Sequence, residues 1–493
     1  MPISRQTLPT VFVLAALLAT GARAAENEDR YRCGSSKPEE AIVACGRMIG
    51  DKWQPQQVRW LALRNRGYAY QVRGDLPKAL ADYDAVLRIG VKDLDPRELG
   101  AQDRRGERRA RINALNAQTH VNRGMIRARM GDREAALADY AQAIAMAPDL
   151  STPYLNRAAL YLQAGDSARA LADLNAAIAR AHADPSAYVS RGGAYRNLGQ
   201  ADKAVADYGT AIALGGGDPQ VYRERGLAWR AAGDAARAEA DAAEALRLDP
   251  KFAAAHVDRA VIFQAKGDAD HAIAEFDAAV QLNPNDVEAL RGRGDGYLAK
   301  ADYDRAIADY DQALRVDPRR LLALNNRGSA YLAKGEWDAA LADFSTVIRI
   351  DPSFATAYGN RGQAYQSKGD PAHALADFNT AIQLKPDAPG AYRGRAFLRQ
   401  AQGDQVGALA DYDRVLAANP QDAESLRGRG YAYLSKGDHD RAIADLSAAI
   451  ALNPKDALAF RFRSLAYAAR RDFRLANADD DIALRLDPRL AGR

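Results

Sequence analysis

Histidine, cysteine and tryptophan are scarce in this chain, with six, two and four among 493 residues. That shortage narrows the chemistry. No histidine joins a cysteine or carboxylate cluster at metal-ligand spacing, and the two cysteines have no neighbours to complete four ligands, so no metal and no cofactor is expected. No G-x-S-x-G, phosphate-binding loop or cysteine–histidine pairing with a catalytic domain occurs. The reading is therefore not an enzyme, with no catalytic residues. Long hydrophobic runs are also missing, and mean hydropathy is −0.39. With 27% charged and 48% hydrophobic residues, neither a polytopic membrane protein nor a disordered polyelectrolyte fits. Nor does one sign of charge dominate: a net +4 gives no whole-chain argument for nucleic acid.

What is present begins with a distinct first 24 residues. Arg5 precedes an apolar run of ten, Val11–Thr20, and Ala22-Arg23-Ala24 follows with small residues at the spacing a signal peptidase reads. The run is short for a bilayer span. Export with cleavage near Ala24 is expected, giving a periplasmic or secreted protein without a transmembrane span in its mature part. Cys33 and Cys45 are expected to pair in that oxidising compartment. Residues 25–59 read as an N-terminal cap, with Pro38–Cys45 resembling a second helix that lacks a first.

The rest is periodic. Small residues stand at Gly124, Ala158, Gly192, Gly226, Ala260, Gly294, Gly328, Gly362, Ala396, Gly430 and Ser464, each step being 34 residues. Gly67 opens the pattern earlier, one period plus 23 residues before Gly124. Apolar residues recur at helical spacing on both sides of a turn that is most often Gly-Asp, as in Gly369-Asp370. Glycine there suits the left-handed end of one helix, and aspartate the N-cap of the next. Proline closes most units and stops the second helix.

The unit Ala355–Ala388 carries Tyr358, Gly362, Tyr365, Ala374, Phe378, Ala381 and Pro386, and with these it resembles the tetratricopeptide repeat. The resemblance covers residues 60–93 as a first repeat and 117–490 as eleven more. It implies an all-α, right-handed solenoid of about twelve helix-turn-helix repeats that binds partners. A basic insert, 94–116, separates the first repeat from the second; it includes the run Arg104 to Arg111 and reads as a loop, a helix extension or a contact for an anionic partner.

Position seven of the motif, often leucine in that family, is arginine in all twelve units, from Arg66 to Arg463. Position 23 is aspartate in eleven and Glu275 in the other. In an antiparallel hairpin turning near positions 15 and 16, these two lie at one level beside the seam. They read as structural ion pairs, Arg327 with Asp343 and Arg361 with Asp377 among them, within a hairpin or bridging to its neighbour. Asp479-Asp480-Asp481 reads as a polar finish to the last helix, and His120 and His256 as core filling.

The resemblance implies that positions two, five, nine, twelve and thirteen of the first helices line an inner, concave face. Position five supplies Arg64, Arg223, Arg291, Arg393, Arg427 and Arg461, and Tyr68, Phe397 and Tyr431 lie at position nine. The face leans positive, so the partner is expected to be a protein or peptide, an acidic one included, held as an extended or helical segment. The lysine and asparagine of the family's carboxylate clamp are absent. An alternative role is assembly or export of envelope polysaccharide.

Overall fold

The computed structural model describes residues 28–89 and 107–491, with the backbone alone over 107–112. The expected export segment, residues 1–24, and the first part of the insert lie outside them. Every regular element among the described residues is a helix. Twelve hairpins follow one another, and they fall into two compact units that meet in sequence at Asp249 and Pro250. The first unit holds the five hairpins from Gln56 to Leu248, and the second the seven from Ala253 to Leu486. Within each unit, every hairpin packs on the next.

The hairpin Leu321–Lys334 plus Trp337–Ile350 shows why the sequence folds this way. Gly335 sits at φ 79°, a left-handed conformation that costs glycine no Cβ clash. Its turn lets the Glu336 N–H reach back to the Tyr331 carbonyl at 2.9 Å, closing the first helix. In most hairpins an aspartate then caps the second helix: the Asp132, Asp302 and Asp438 carboxylates accept from backbone N–H groups three residues on. Ala301 and Arg471 take the same left-handed turn without being glycine, at φ 57° and 64°. The close approach of the paired helices explains the small residue at position eight. A Cβ on Gly328 would stand 2.8 Å from the Phe344 ring of the facing helix.

Because each hairpin offers only a thin seam, the core is a row of clusters. The largest, in the second unit, runs from Ala260 through Phe276, Leu290, Tyr310 and Leu324 to Val347 and Ala357. At the N-terminal end, helix Pro38–Gly50 lays Ala44, Cys45 and Met48 on Ala62, and Cys33 is disulfide-bonded to Cys45. Arg47 donates to Asp29 at 3.0–3.1 Å beside it. The second hairpin opens with a helix that starts at Glu107, not at 117, so the latter part of the insert is a helical extension. At the other end, a short turn, Pro488–Leu490, buries Leu490 against Phe460 and Ala483.

Candidate functional site

The twelve arginines at position seven lie in the seam of their hairpins, and each bonds the carboxylate at position 23 of its own second helix. Arg327 is representative. Its Nε donates to Asp343 Oδ2 at 2.8 Å and its Nη2 to Asp343 Oδ1 at 2.7 Å, a two-pronged grip that matches the planar guanidinium to the carboxylate. Arg361 holds Asp377 in the same way, at 2.8 Å for both prongs. The eleven aspartates are buried and Glu275 is half-buried, and the arginine side chains are 15–25% exposed.

The third edge of the fork reaches the preceding hairpin. Arg327 Nη1 donates to Asp311 at 2.6 Å, Arg293 Nη1 to Asp277 at 2.6 Å and Arg429 Nη1 to Asp413 at 2.7 Å. Where position 25 is Asn or Ser, Asn175, Asn379, Ser345 or Ser447 accepts instead, whereas Arg157 and Arg225 follow Ala141 and Gly209, which offer no side-chain acceptor. One side chain thus ties its own two helices together and fastens them to the previous pair. Position 25 had given no signal as a partner in the sequence, because its polarity is that of any exposed helix face. Its hydrogen bonds to Asp343 and, secondarily, to Asp311 raise the Arg327 pKa above the usual arginine value, against the effect of burial.

Two hairpins add a histidine. His120 Nδ1 lies 3.0 Å from Asp139, which also accepts from Arg123 and Arg127, and His256 Nδ1 lies 2.8 Å from Glu275. These rings take part in the hydrogen-bond network of the seam as well as filling it. Burial alone would raise the Asp139 carboxyl; hydrogen bonds from His120 and Arg123 and the charges of Arg123 and Arg127 outweigh it and hold it below the usual range.

The position-five arginines are differently placed. Arg291 lies between Glu288 and Asp295. Arg393 donates to Asp422 at 3.0 Å and Arg427 to Asp456 at 2.7 Å, and both aspartates cap the first helix of the following hairpin. Arg461 is paired with Asp480, so Asp479 and Asp480 are ion-pair members, and the expected polar finish is reduced to exposed Asp481. Arg223 is half-buried. The positive lean of this face in the second unit is therefore largely cancelled by carboxylates supplied from neighbouring helices. A count of charges on the first-helix positions alone misses them.

The aromatic positions differ among themselves. Tyr68 and Phe397 are exposed, whereas the Tyr431 ring packs at a tilt on Phe462 of the next hairpin, with centroids 4.4 Å apart. Aliphatic residues that the sequence reading left out join them: Leu61, Leu322 and Leu458 at position two, Leu465 at nine and Val72 at thirteen are exposed too. Among the described residues, no group of three or more His, Cys, Asp or Glu is arranged to hold a metal ion, and no helix is long and apolar enough to cross a membrane. What this face can do chemically is bury apolar side chains of a partner between charge-compensated arginines.

Comparison with known proteins agrees with this architecture. Profiles described as tetratricopeptide repeat match residues 117–150, 155–220, 223–287, 355–388, 393–457 and 427–491, and one described as TPR repeat matches 294–335 and 328–369. No curated protein matches the chain in sequence. Among solved structures, the Cut9-Hcn1 hetero-tetramer of APC/C is similar at 14% identity over 88% of this chain and 94% of that one, with a TM-score of 0.50. Yeast Tom70 is 16% identical over 88% and 99% of the two chains, with a TM-score of 0.40. A tetratricopeptide repeat protein from Parabacteroides merdae is 22% identical over 50% and 98%, with a TM-score of 0.43. The likeness to Cut9-Hcn1 is one of fold.

Proposed function

The chain belongs to the tetratricopeptide repeat family, and from that premise we propose that it is an exported scaffold that holds an extended or helical segment of a partner protein against its first helices. Repeat proteins of this family are in general non-enzymatic interaction scaffolds. The observation that carries the proposal is the mismatch on the first-helix face. Its arginines are mostly bonded internally, while Tyr68, Phe397, Leu322, Leu458 and Leu465 are left in water. Exposed aromatics beside fixed guanidinium groups are the usual anchors of an interface. Each side chain covered gains about 25 cal/mol per Å² of apolar surface removed from water. Capture would therefore rest on apolar burial more than on net charge, and the partner need not be strongly acidic.

The Cys33–Cys45 disulfide supports an oxidising compartment. N-terminal sequencing of the mature protein tests export: a start at Ala25 is expected, and retention of Met1 in the cell interior would refute it. A photo-crosslinking residue at Phe397, compared with one at Leu384 on the exposed edge of a second helix, tests the face. Adducts to a protein should form at 397 and not at 384, and the reverse pattern would overturn the reading. Adducts to a glycan-polymerising complex would favour the polysaccharide-assembly role instead.

A further inference from the structure

The first-helix face of the second unit changes character at the hairpin that begins with Pro389. In the hairpins before it the face is polar: Asn360 donates to Asn325 at 3.1 Å, and Asn326 donates to Asp295 at 2.8 Å. Position nine there is Asp295, Ser329 and Gln363 in turn, whereas in the last three hairpins it is Phe397, Tyr431 and Leu465. Phe397 and Leu465 are 54% and 43% exposed, and Tyr431 is half-buried beside Phe462. The arginines among them are already paired, Arg393 with Asp422, Arg427 with Asp456 and Arg461 with Asp480. A different cation stands at the turn edge. Lys334, Lys368 and Arg470, at position 14, pair with Asp304, Asp338 and Asp440, each at position 18 of the preceding hairpin. Opposite Lys436 that place is held by Val406, 68% exposed, and among the described residues Lys436 has no carboxylate partner.

We propose that the last three hairpins, Pro389 to Leu486, dock an amphipathic helix of a partner protein, its apolar stripe on Phe397, Tyr431 and Leu465 and an acidic residue of its flank on Lys436. The inference rests on the capture reading above and decides between the helical and the extended segment. Packed helices stand about 8–10 Å apart, so anchors on successive first helices repeat at about that interval. Seven residues of α-helix rise about 10.5 Å and return to the same side, which matches. Three residues of a strand also cover about 10 Å but end on the opposite side, so a strand cannot seat consecutive anchors. The pad has the width of a helix as well. On helix Ala457–Ala469, Leu458, Phe462 and Leu465 follow one another at four and three residues on one face, a length of about 10 Å. The acid belongs on the flank because Lys436 lies five residues beyond Tyr431, about 7.5 Å along their helix.

The test uses the full chain and 20-residue segments selected from a displayed random library, then made as capped peptides. Selected segments should carry apolar residues at i, i+7 and i+14 and an acid on one flank, and isotope-labelled peptides should show helical carbon-13 shifts when bound. Proline at the centre of the peptide should weaken binding about tenfold or more, as should Phe397→Ala or Leu465→Ala in the protein. Lys436→Glu should weaken it about threefold, and changing the peptide's acid to lysine should recover that loss. All three protein variants should melt with the wild type, because the side chains changed are exposed. Selected segments whose apolar residues alternate, or recur every third residue among prolines, would overturn the helical partner and leave the capture face standing. A consensus without an acid, or binding indifferent to Lys436→Glu, would overturn the contact at Lys436. Helical segments that ignore Phe397 and Leu465 and answer to Tyr68 or Leu322 would remove the site from the last three hairpins. If no segment binds, the site and the capture reading both fall.

Discussion

Replacing Arg327 with methionine isolates what the ladder contributes. Methionine keeps an aliphatic stem beside the Tyr331 ring, which the Arg327 guanidinium overlies at 5.9 Å, so the loss is one of charge and hydrogen bonds rather than bulk. Asp343, whose side chain is 8% exposed, is then left without its two donors. Stranding one member of a fully buried pair costs about 3–5 kcal/mol, and an exposed pair is worth about 0.2–1 kcal/mol. With the Arg327 side chain 21% exposed, about 2–4 kcal/mol is expected. The bond to Asp311, which is 39% exposed, adds no more than about 1 kcal/mol to that. Arrays of repeats do not always unfold in one step, so native-state hydrogen exchange of helices Leu321–Lys334 and Trp337–Ile350 is the suitable readout. Arg349→Ala, an exposed change in the same hairpin, serves as the control. Arg327→Met with Asp343→Leu should recover much of the loss, giving a coupling of about 2 kcal/mol or more. Equal exchange in Arg327→Met and Arg349→Ala would refute the reasoning.

Other outcomes follow from single sites. Ala301→Gly relieves a left-handed alanine and should stabilise its hairpin by about 0.5–1 kcal/mol in urea unfolding. Gly292→Ala should cost about 1–3 kcal/mol, because a Cβ there runs into the Phe276 ring. Gly359→Ala, with nothing within 4 Å of the new atom, should instead gain up to about 1 kcal/mol in the same assay. Asp139 has a folded pKa below its ordinary value of 3.8, so its contribution is complete above that value and is lost as pH falls through the lower folded value. Melting of the second hairpin, followed from pH 7 towards pH 3, should stay level and then drop; a rise on acidification would contradict this.

Much of the fold could be read from the residues. The spacing of Gly328, Gly362 and their equivalents set the hairpin, and the co-occurrence of Arg327 with Asp343 placed one pair of partners at one level of the seam. The third bond that eight of these arginines make escaped notice because Asp311 or Ser345 at position 25 looks like an ordinary exposed helix residue. Its role depends on how one hairpin sits against the next. The candidate face was harder for the same reason. Whether Arg393 or Arg427 is free depends on Asp422 and Asp456, capping residues of a following helix, which a count of charges along one helix does not include. Leu458 and Leu465 were missed because exposed and buried leucines look alike until a facing element is known. The helical extension from Glu107 lacked any cap signal to mark its start.

The central claim is that arginine guanidinium groups are fixed in the hairpin seams and serve the scaffold. Hydrogen exchange of the arginine Nε–H groups, followed by nitrogen-15-edited NMR and assigned by single Arg→Lys changes, addresses it directly. In eleven of the twelve ladder arginines Nε donates to the position-23 carboxylate, while in Arg259 it is unpartnered. Those eleven should exchange much more slowly than the Nε–H of exposed arginines such as Arg441. If they exchange at the same rate as Arg441, the seams are not locked by these pairs and the account fails.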